Sequence, residues 1–300
     1  MRDKIIVIGS LNYDMIFGIN KMPEIGENML ANHVTFRAGG KGANQAVQAA
    51  KLGVKTYMAG CVGKDFMGDY LLNRATEYGV NVEYIRRTDI YSGMAAVNSL
   101  SDGGVFATIA KGANFEMKKE DIDRIENLMD EAAMVVLQME IRQDMNRYAI
   151  EKARAHGCKV MMNAAPAAPF EEEYIQKCDI FVVNEVEAGF YAGRTIDTME
   201  KAAAEAADMS ARLGNTIIIT MGKEGAVVSS EGKTEMIPSL KVKAVETTGA
   251  GDSFIGATSY ALMNGMDIFE ACKFATRCSA VTVCNPGAQE SMPTLEELNG

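Results

Sequence analysis

Short apolar runs alternate along this chain with longer stretches whose apolar positions recur at helical spacing. Lys4–Ser10 reads as a strand, and a glycine-rich loop further on opens a helix over Gly42–Leu52. A strand at Lys55–Val62 leads to a helix at Phe66–Tyr78, and Ala133–Met139 leads to Met145–His156. Strand-like Lys159–Ala165 and Asp179–Asn184 follow, then a helical pattern over Thr198–Leu213 and a strand at Asn215–Gly222. Unbroken runs such as Ile5-Ile6-Val7-Ile8 and Ile217-Ile218-Ile219 suit strands buried on both faces. Repeated strand–helix units of this kind predict an α/β fold, a mostly parallel sheet with helices on both sides.

Two regions break the rhythm. Asn12–Arg37 and Ser92–Lys111 alternate polar and apolar residues, as in Ala95–Leu100 and Val105–Ala110. They predict antiparallel strands exposed on one face, a small β lid over the main layer. The apolar face of such a lid needs cover, and pairing with the lid of a second subunit predicts a two-fold homodimer. No Pro/Ser-rich linker or fixed-period repeat divides the chain, so 1–300 reads as one α/β domain with lid segments at about 12–37 and 92–111.

Composition narrows the partners. A net charge of −10 opposes a nucleic-acid backbone as principal partner, because counterion release needs clustered Lys and Arg. No apolar run reaches the ~18 residues of a membrane span, and no signal peptide is visible, so a soluble, cytoplasmic protein is expected. The six cysteines form no Cys-x-x-Cys pair, which points to buried thiols rather than a zinc site. His33 and His156 are the only histidines and lie far apart, so a histidine triad or His₃ metal site is improbable.

The chemistry-bearing residues should gather at the carboxyl ends of the parallel strands, where open α/β sheets bind ligands. Asn12 and Asp14 follow the first strand, and Gly39-Gly40-Lys41-Gly42-Ala43-Asn44 precedes the first helix. Glu140 ends one strand, Asn184 with Glu187 ends another, and Thr220-Met221-Gly222-Lys223-Glu224-Gly225 ends a third. Asn12, Asp14, Asn44 and Glu140 supply short amides and carboxylates suited to vicinal hydroxyls; each taken alone is more often a cap or turn residue, a reading that four of them at strand or loop ends weaken. Near the C-terminal end comes Glu246-Thr247-Thr248-Gly249-Ala250-Gly251-Asp252-Ser253-Phe254, followed by a helical pattern. Small residues at 249–251 let consecutive N–H groups converge at a helix N-terminus, which favours an anion. Asp252 beside that site can take a proton from a hydroxyl while the amides hold a phosphoryl group, or it can be a plain N-terminal cap. The spacings of a Walker loop and of a dinucleotide-binding Gly-x-Gly-x-x-Gly are both absent.

Gly39–Ala46 and Thr247–Phe254 resemble the two signatures of the ribokinase (PfkB) family of carbohydrate kinases. Gly9–Asp14, Gly112-Ala113-Asn114, Asn163-Ala164-Ala165-Pro166 and Asn184–Ala188 are similar to its intermediate motifs, in the same order. Together they span nearly the whole chain. The resemblance implies a ribokinase-like three-layer α/β/α domain with a small β-sheet lid, and ATP-dependent phosphorylation of a small sugar. D-Ribose giving D-ribose 5-phosphate is the reaction of the members it most resembles, a likeness helped by Gly287-Ala288-Gln289. It implies Asp252 as base, with the amides of Gly249, Ala250, Gly251 and Asp252 as anion hole. It places Asn12, Asp14, Gly40, Lys41, Asn44 and Glu140 on the sugar. Asn184 and Glu187 would organise Mg²⁺ and phosphate, largely through water. Thr220, Gly222, Gly225, Gly251 and Thr276 would line the ATP site. Glu246, Thr248, Thr282, Asn285, Gly287 and Ser291 would form a potassium site.

Two departures stand out against that family. Glu246 replaces the usual Asp, which predicts a retained but weaker potassium activation, and the lid stretch Ser92-Gly93-Met94-Ala95-Ala96, expected to face the sugar, differs from the usual sequence. A nucleoside or another sugar is therefore the rival acceptor, with Tyr13 and Phe36 as the obvious aromatics to stack a base. A non-catalytic sugar or nucleotide sensor is the rival from another class, and an ADP-release assay separates it from a kinase.

Overall fold

Ile5, Ile6, Val7 and Ile8 are each no more than 1% exposed, as their unbroken apolar run predicts. They form β1 (Lys4–Ile8), the middle of a large sheet in a computed structural model that describes residues 2–100 and 104–299. The remaining strands are β2 (Asn12–Ile19), β3 (His33–Gly39), β4 (Lys55–Gly63), β5 (Asn81–Thr88), β6 (Gly93–Leu100) and β7 (Val105–Ala110). After them come β8 (Ala132–Gln138), β9 (Lys159–Asn163), β10 (Ile180–Asn184), β11 (Thr216–Thr220), β12 (Gly225–Ser230) and β13 (Lys233–Pro238). The nine-stranded sheet runs β13-β12-β11-β10-β9-β8-β1-β4-β5. It is parallel from β5 to β11, and the β12–β13 hairpin adds two antiparallel strands at one edge.

Alternate residues of the central strands enter opposite cores. Ile6, Ile8, Val135, Leu137 and Ile219 pack with the helices Gln143–Ala155 and Met199–Leu213. Ile5, Val7, Val136 and Ile218 pack with Lys41–Lys51, Phe66–Glu77, Ala250–Met263 and Ile268–Thr282. The fold is therefore the three-layer α/β arrangement the sequence predicts. Helix bounds fall within a residue or two of the expected ones, and Thr198 caps its helix by accepting from Lys201 N–H at 3.2 Å. β5 and the β12–β13 hairpin were not foreseen, because edge strands such as Asn81–Thr88 carry charged, half-exposed residues that blur the apolar run. Among the described residues no helix is long and apolar enough to cross a membrane. All six cysteines are free, and burial pushes the Cys61, Cys178 and Cys278 thiols up to about 12.

The lid is a four-stranded sheet in the order β3-β2-β6-β7. Positions 101–103 of the expected lid segment lie outside the described residues. Each lid segment folds into an antiparallel hairpin, but β2 and β6 pair in parallel rather than antiparallel. The reason lies in the main sheet. β2 follows β1 and β6 follows β5, and these feeder strands run the same way, so the two hairpins meet through strands that leave in one direction.

The lid's base is fastened by rings and by one carboxylate. Tyr13 packs on Tyr70 at 5.3 Å and on Phe66 at 5.8 Å between ring centroids, joining β2 to the helix Phe66–Glu77. Asp65 caps that helix through Gly68 N–H at 2.7 Å and also accepts from Ser92 N–H at 2.8 Å and Ser92 Oγ at 2.7 Å. Burial tends to raise the Asp65 carboxyl, but these hydrogen bonds outweigh it and hold the group below its ordinary value. A carboxyl so depressed stabilises the fold above its unfolded pKa and loses that contribution as pH falls. Asp65→Ala is expected to lower unfolding free energy at pH 7 by about 1–3 kcal/mol, with the deficit shrinking below pH ~4. Urea unfolding of both proteins across that range checks this, and an equal deficit at all pH values contradicts it.

Candidate active site

The helix Ala250–Met263 begins within the small-residue turn, as the sequence predicts, with Gly249 as its N-cap at φ 80°. That left-handed conformation is one a β-carbon disfavours, so the tight turn depends on glycine. Asp252 consequently lies inside the first turn, 8% exposed, near the helix's opening amides rather than beyond them. Both its oxygens are held. Asn44 Nδ2 donates to Oδ2 at 2.9 Å, and Gln45 Nε2 donates to Oδ1 at 2.9 Å.

The holders are themselves held. Gln289 Nε2 donates to Asn44 Oδ1 at 3.1 Å, and Gln138 Nε2 donates to Gln45 Oε1 at 2.7 Å. Gln45 Nε2 also reaches Asn163 Oδ1 at 3.1 Å. Sequence reasoning assigned no role to Gln45, Gln138, Asn163 or Gln289. The available signal was Gln138 and Asn163 as polar ends of otherwise apolar buried strands.

A second group of residues occupies the junction of lid and sheet. Asn12 Oδ1 accepts from Asn114 Nδ2 at 2.8 Å, while Asn12 Nδ2 has no protein partner among the described residues. Asn114 in turn accepts from Leu11 N–H at 2.9 Å, which fixes its own orientation. Register puts Asn12, Asp14, Arg37 and Ala95 on one lid face. The Asp14 carboxylate accepts no hydrogen bond from any described residue. Burial pushes its pKa up to about 7, the charges of Glu140 and Asp252 adding to the effect and Arg37 opposing it. Glu140 Oε2 accepts from Ser10 Oγ at 2.5 Å and from Lys41 N–H at 3.0 Å. Gly40, at φ 88°, passes so close to β2 that a β-carbon there would lie 2.7 Å from Asn12 N.

Two cavities flank these groups. A cleft of about 580 Å³ is lined by Asn12, Asn114 and Glu140, with Ile109 and Lys111 from the lid and Arg142 from the main layer. A smaller one of about 240 Å³ is lined by Lys41, Asn184, Glu187, Thr220, Gly249, Gly251 and Asp252. Lys41, expected on the sugar, thus has its side chain with the helix terminus. Burial tends to lower its pKa, but Asp252, Glu140 and Glu187 outweigh that and raise it, keeping the ammonium charged. Asn184 and Glu187 form a reciprocal cap: Glu187 N–H donates to Asn184 Oδ1 at 2.8 Å and Asn184 N–H donates to Glu187 Oε2 at 2.9 Å. Burial raises the Glu187 carboxyl above its ordinary value despite the Asn184 hydrogen bond. Gly222, Gly225 and Thr276 do not line this cavity, and the Thr276 hydroxyl donates to Cys272 C=O at 2.9 Å within its helix.

The residues expected around potassium converge only in part. Arg37 Nη1 donates to both Glu246 oxygens at 2.9 Å, and Gly287 N–H donates to Oε2 at 2.9 Å. The Thr282 hydroxyl is fully buried against Ser253 Oγ at 2.9 Å, and the Ser291 hydroxyl bonds Gly287 C=O at 2.6 Å. Asn285 and Thr248 are exposed. The expected carboxylate ligand already has a guanidinium against it, so this donor set does not fit a free potassium ion.

A helix N-terminus suited to an anion, a fixed carboxylate beside it and a neighbouring cleft lined by amide and charged side chains make a site able to hold a phosphoryl group against a hydroxyl. Known proteins agree. The model for the pfkB family of carbohydrate kinases matches residues 2–295. The deoxyribokinase of Salmonella typhi is 37% identical over 98% of this chain and 97% of its own length. The ribokinase of Bacillus subtilis is 36% identical over 98% of this chain and 97% of its own. The solved structure of Arabidopsis thaliana ribokinase complexed with ribose and ATP superposes with a TM-score of 0.90 at 29% identity, covering 100% of this chain and 98% of that one. The chain belongs to the pfkB family of carbohydrate kinases, and it is a sugar kinase.

Asp14 gives this site a measurable cost. Its folded pKa of about 7 lies above the ordinary 3.8, so the folded state favours the protonated form. Stability from this group is full below pH ~4 and is lost as pH rises to about 7. Asp14→Asn removes that loss. Without sugar it is expected to gain up to about 4 kcal/mol relative to wild type between pH 4 and pH 8. Urea unfolding at the two pH values measures this, and a gap independent of pH would refute the cost assigned to Asp14.

Proposed function

We propose that this kinase transfers the γ-phosphoryl group of ATP to D-ribose, giving D-ribose 5-phosphate. The observation that carries the reading is the unpartnered Asp14 carboxylate, near enough to Asp252 to feel its charge, with the free Asn12 Nδ2 on the same lid face. Buried polar groups left without partners cost about 1–3 kcal/mol each, so a ligand rich in hydroxyls is what relieves them. The relatives support both a pentose acceptor and ATP. Arabidopsis ribokinase was solved with ribose and ATP, and the relatives named above are ribokinases and a deoxyribokinase.

Asp252 takes the proton of the sugar hydroxyl as its oxygen attacks the γ-phosphorus. The new O–P bond forms, the bond to the bridging oxygen breaks, and ADP departs with that electron pair. The amides of Gly249, Gly251 and Asp252 and the Lys41 ammonium meet the transferring group, which needs alignment and charge more than covalent help. Ala250 N–H, expected with them, donates to Thr247 C=O at 3.3 Å. Asn44 and Gln45 keep the Asp252 carboxylate aimed. Glu187 has one oxygen free of hydrogen bonds within the described residues, which fits a Mg²⁺ ion held through water with Asn184 nearby. When bound, that ion neutralises phosphate charge. Thr220 lies on the nucleotide side, where Gly222, Gly225 and Thr276 are proposed to shape the more distant part of the ATP site.

A nucleoside acceptor loses its proposed stacking partners. Tyr13 and Phe36 pair with each other at 5.7 Å on the lid face opposite Asn12 and Asp14. Phe115 does line the cleft, but the Lys111 ammonium sits over its ring at 4.2 Å.

Asp252→Asn is expected to lower kcat by about 10²–10⁴ with little change in sugar KM. On the unmodified enzyme, kcat/KM should rank ribose first, 2-deoxyribose lower and adenosine lowest. A mutant that keeps its turnover removes Asp252 as base, and a panel led by adenosine, fructose or 2-deoxyribose overturns ribose as acceptor.

The lid also supports a homodimer. Val34, Phe36 and Phe106 are 44%, 52% and 52% exposed on the face away from the cleft, and a second lid would cover them. Sedimentation at micromolar concentration should give a dimer mass. A monomer there, or a dimer unaffected by Phe36→Glu, counts against pairing through this face.

A further inference from the structure

Arg37 and Glu246 lie 209 residues apart in sequence, yet one guanidinium nitrogen touches both carboxylate oxygens at 2.9 Å. The pair is three-quarters shielded, with side chains 21% and 28% exposed. Arg37 stands on β3, at the root of the lid, opposite Asp14. Glu246 opens the segment that runs through Thr247 and Thr248 into the N-terminus of the helix Ala250–Met263. Its N–H bonds Val283 C=O at 3.2 Å, and its side chain accepts from Gly287 N–H at 2.9 Å. One carboxylate thus ties together the lid, the anion-binding turn and the 283–287 loop, with a fixed positive charge against it.

We propose that the Arg37 guanidinium takes the place of the activating monovalent cation expected of this family, so that the enzyme orders its anion-binding turn without potassium. A free ion at that point would neutralise the carboxylate and brace the two loops. Arg37 performs both tasks from within the chain, its planar guanidinium set against both carboxylate oxygens. The methylene that distinguishes Glu246 from the usual Asp extends its carboxylate toward the lid. The inference rests on the kinase reading but not on the identity of the sugar.

The test compares wild type, Arg37→Ala and Arg37→Lys in 100 mM K⁺, Na⁺ or tetramethylammonium, with the best acceptor of the panel. Wild-type kcat should agree within about twofold across the three salts. Arg37→Ala should fall at least tenfold in tetramethylammonium and recover in K⁺, because the exposed carboxylate can then take a free ion. Arg37→Lys keeps the charge and should remain nearly indifferent to salt. Melting temperature gives a reading independent of turnover: K⁺ should raise it over tetramethylammonium in Arg37→Ala and not in wild type. Saturable potassium activation of wild type beyond fivefold overturns the proposal. So does salt indifference in both wild type and Arg37→Ala, since the turn would then need no cation at all. Should Arg37→Ala fail to fold, the wild-type salt panel and Arg37→Lys still decide. If no acceptor is phosphorylated, the kinase reading is at fault, and the melting data alone judge this inference.

Discussion

A buried carboxylate that is to stay in one place needs fixed donors for its oxygens, and the site is organised around satisfying that demand at Asp252. Neutral amides do this rather than a cation. An amide holds the carboxylate in place without neutralising it, which leaves the negative charge available to draw a proton from a hydroxyl. The donors Asn44 and Gln45 are successive residues of the helix Lys41–Lys51, so two helices must meet closely for both to reach. Gly256 permits this approach: a β-carbon there would lie 2.6 Å from Gln48 Cβ and 2.7 Å from Gln45 C=O. Behind Gln45 stand Gln138 and Asn163 at the ends of β8 and β9. The geometry of the Asp252 carboxylate is thereby tied to the register of the central sheet.

The lid side follows the opposite logic. Asn12 is buried and Asp14 half-buried, neither with a full set of protein partners, and Asp14 is driven up to about 7. Such groups oppose folding in the absence of ligand, and a site that binds and releases a polyol has reason to keep them. Stability is held elsewhere, in the two cores flanking the sheet and in the Tyr13 and Asp65 contacts that fix the lid's root. The division of labour is a common one between scaffold and site.

Much of this was legible in the sequence for physical reasons. β1, β8 and β11 announce themselves because strands buried on both faces must be apolar throughout, and the strand-end rule then gathers Asn12, Glu140, Asn184 and Thr220. Thr247–Phe254 was readable because few arrangements other than a helix N-terminus use small residues followed by an acid. What stayed hidden depends on contacts between distant segments. β5 and the β12–β13 hairpin carry edge-strand chemistry that resembles loop. The parallel meeting of β2 and β6 is set by the direction of their feeder strands, which no local pattern encodes. Gln45, Asn163 and Gln289 stand in motifs the sequence offers, but their roles, and Gln138 altogether, become visible only when the fold brings the four into one network of hydrogen bonds around Asp252.

Arg37 was hidden for the same reason, and its placement bears on the charge balance of the whole site. It neighbours two carboxylates with different environments: it opposes the upward push on Asp14 and binds Glu246 outright. The larger cleft has Glu140 and Asp144 against Lys111, Arg142 and Arg147, whereas the smaller cavity has Glu187 and Asp252 against Lys41 alone, with the Arg37–Glu246 pair outside both. With Glu246 neutralised by Arg37, Lys41 is the cation left facing Asp252, Glu140 and Glu187. A nucleoside triphosphate brought to that side adds more negative charge than one ammonium and a helix terminus can offset. Under the function proposed here, the positive charge still lacking must arrive with the nucleotide, and a water-clad divalent ion beside Glu187 is the form this donor set can accept.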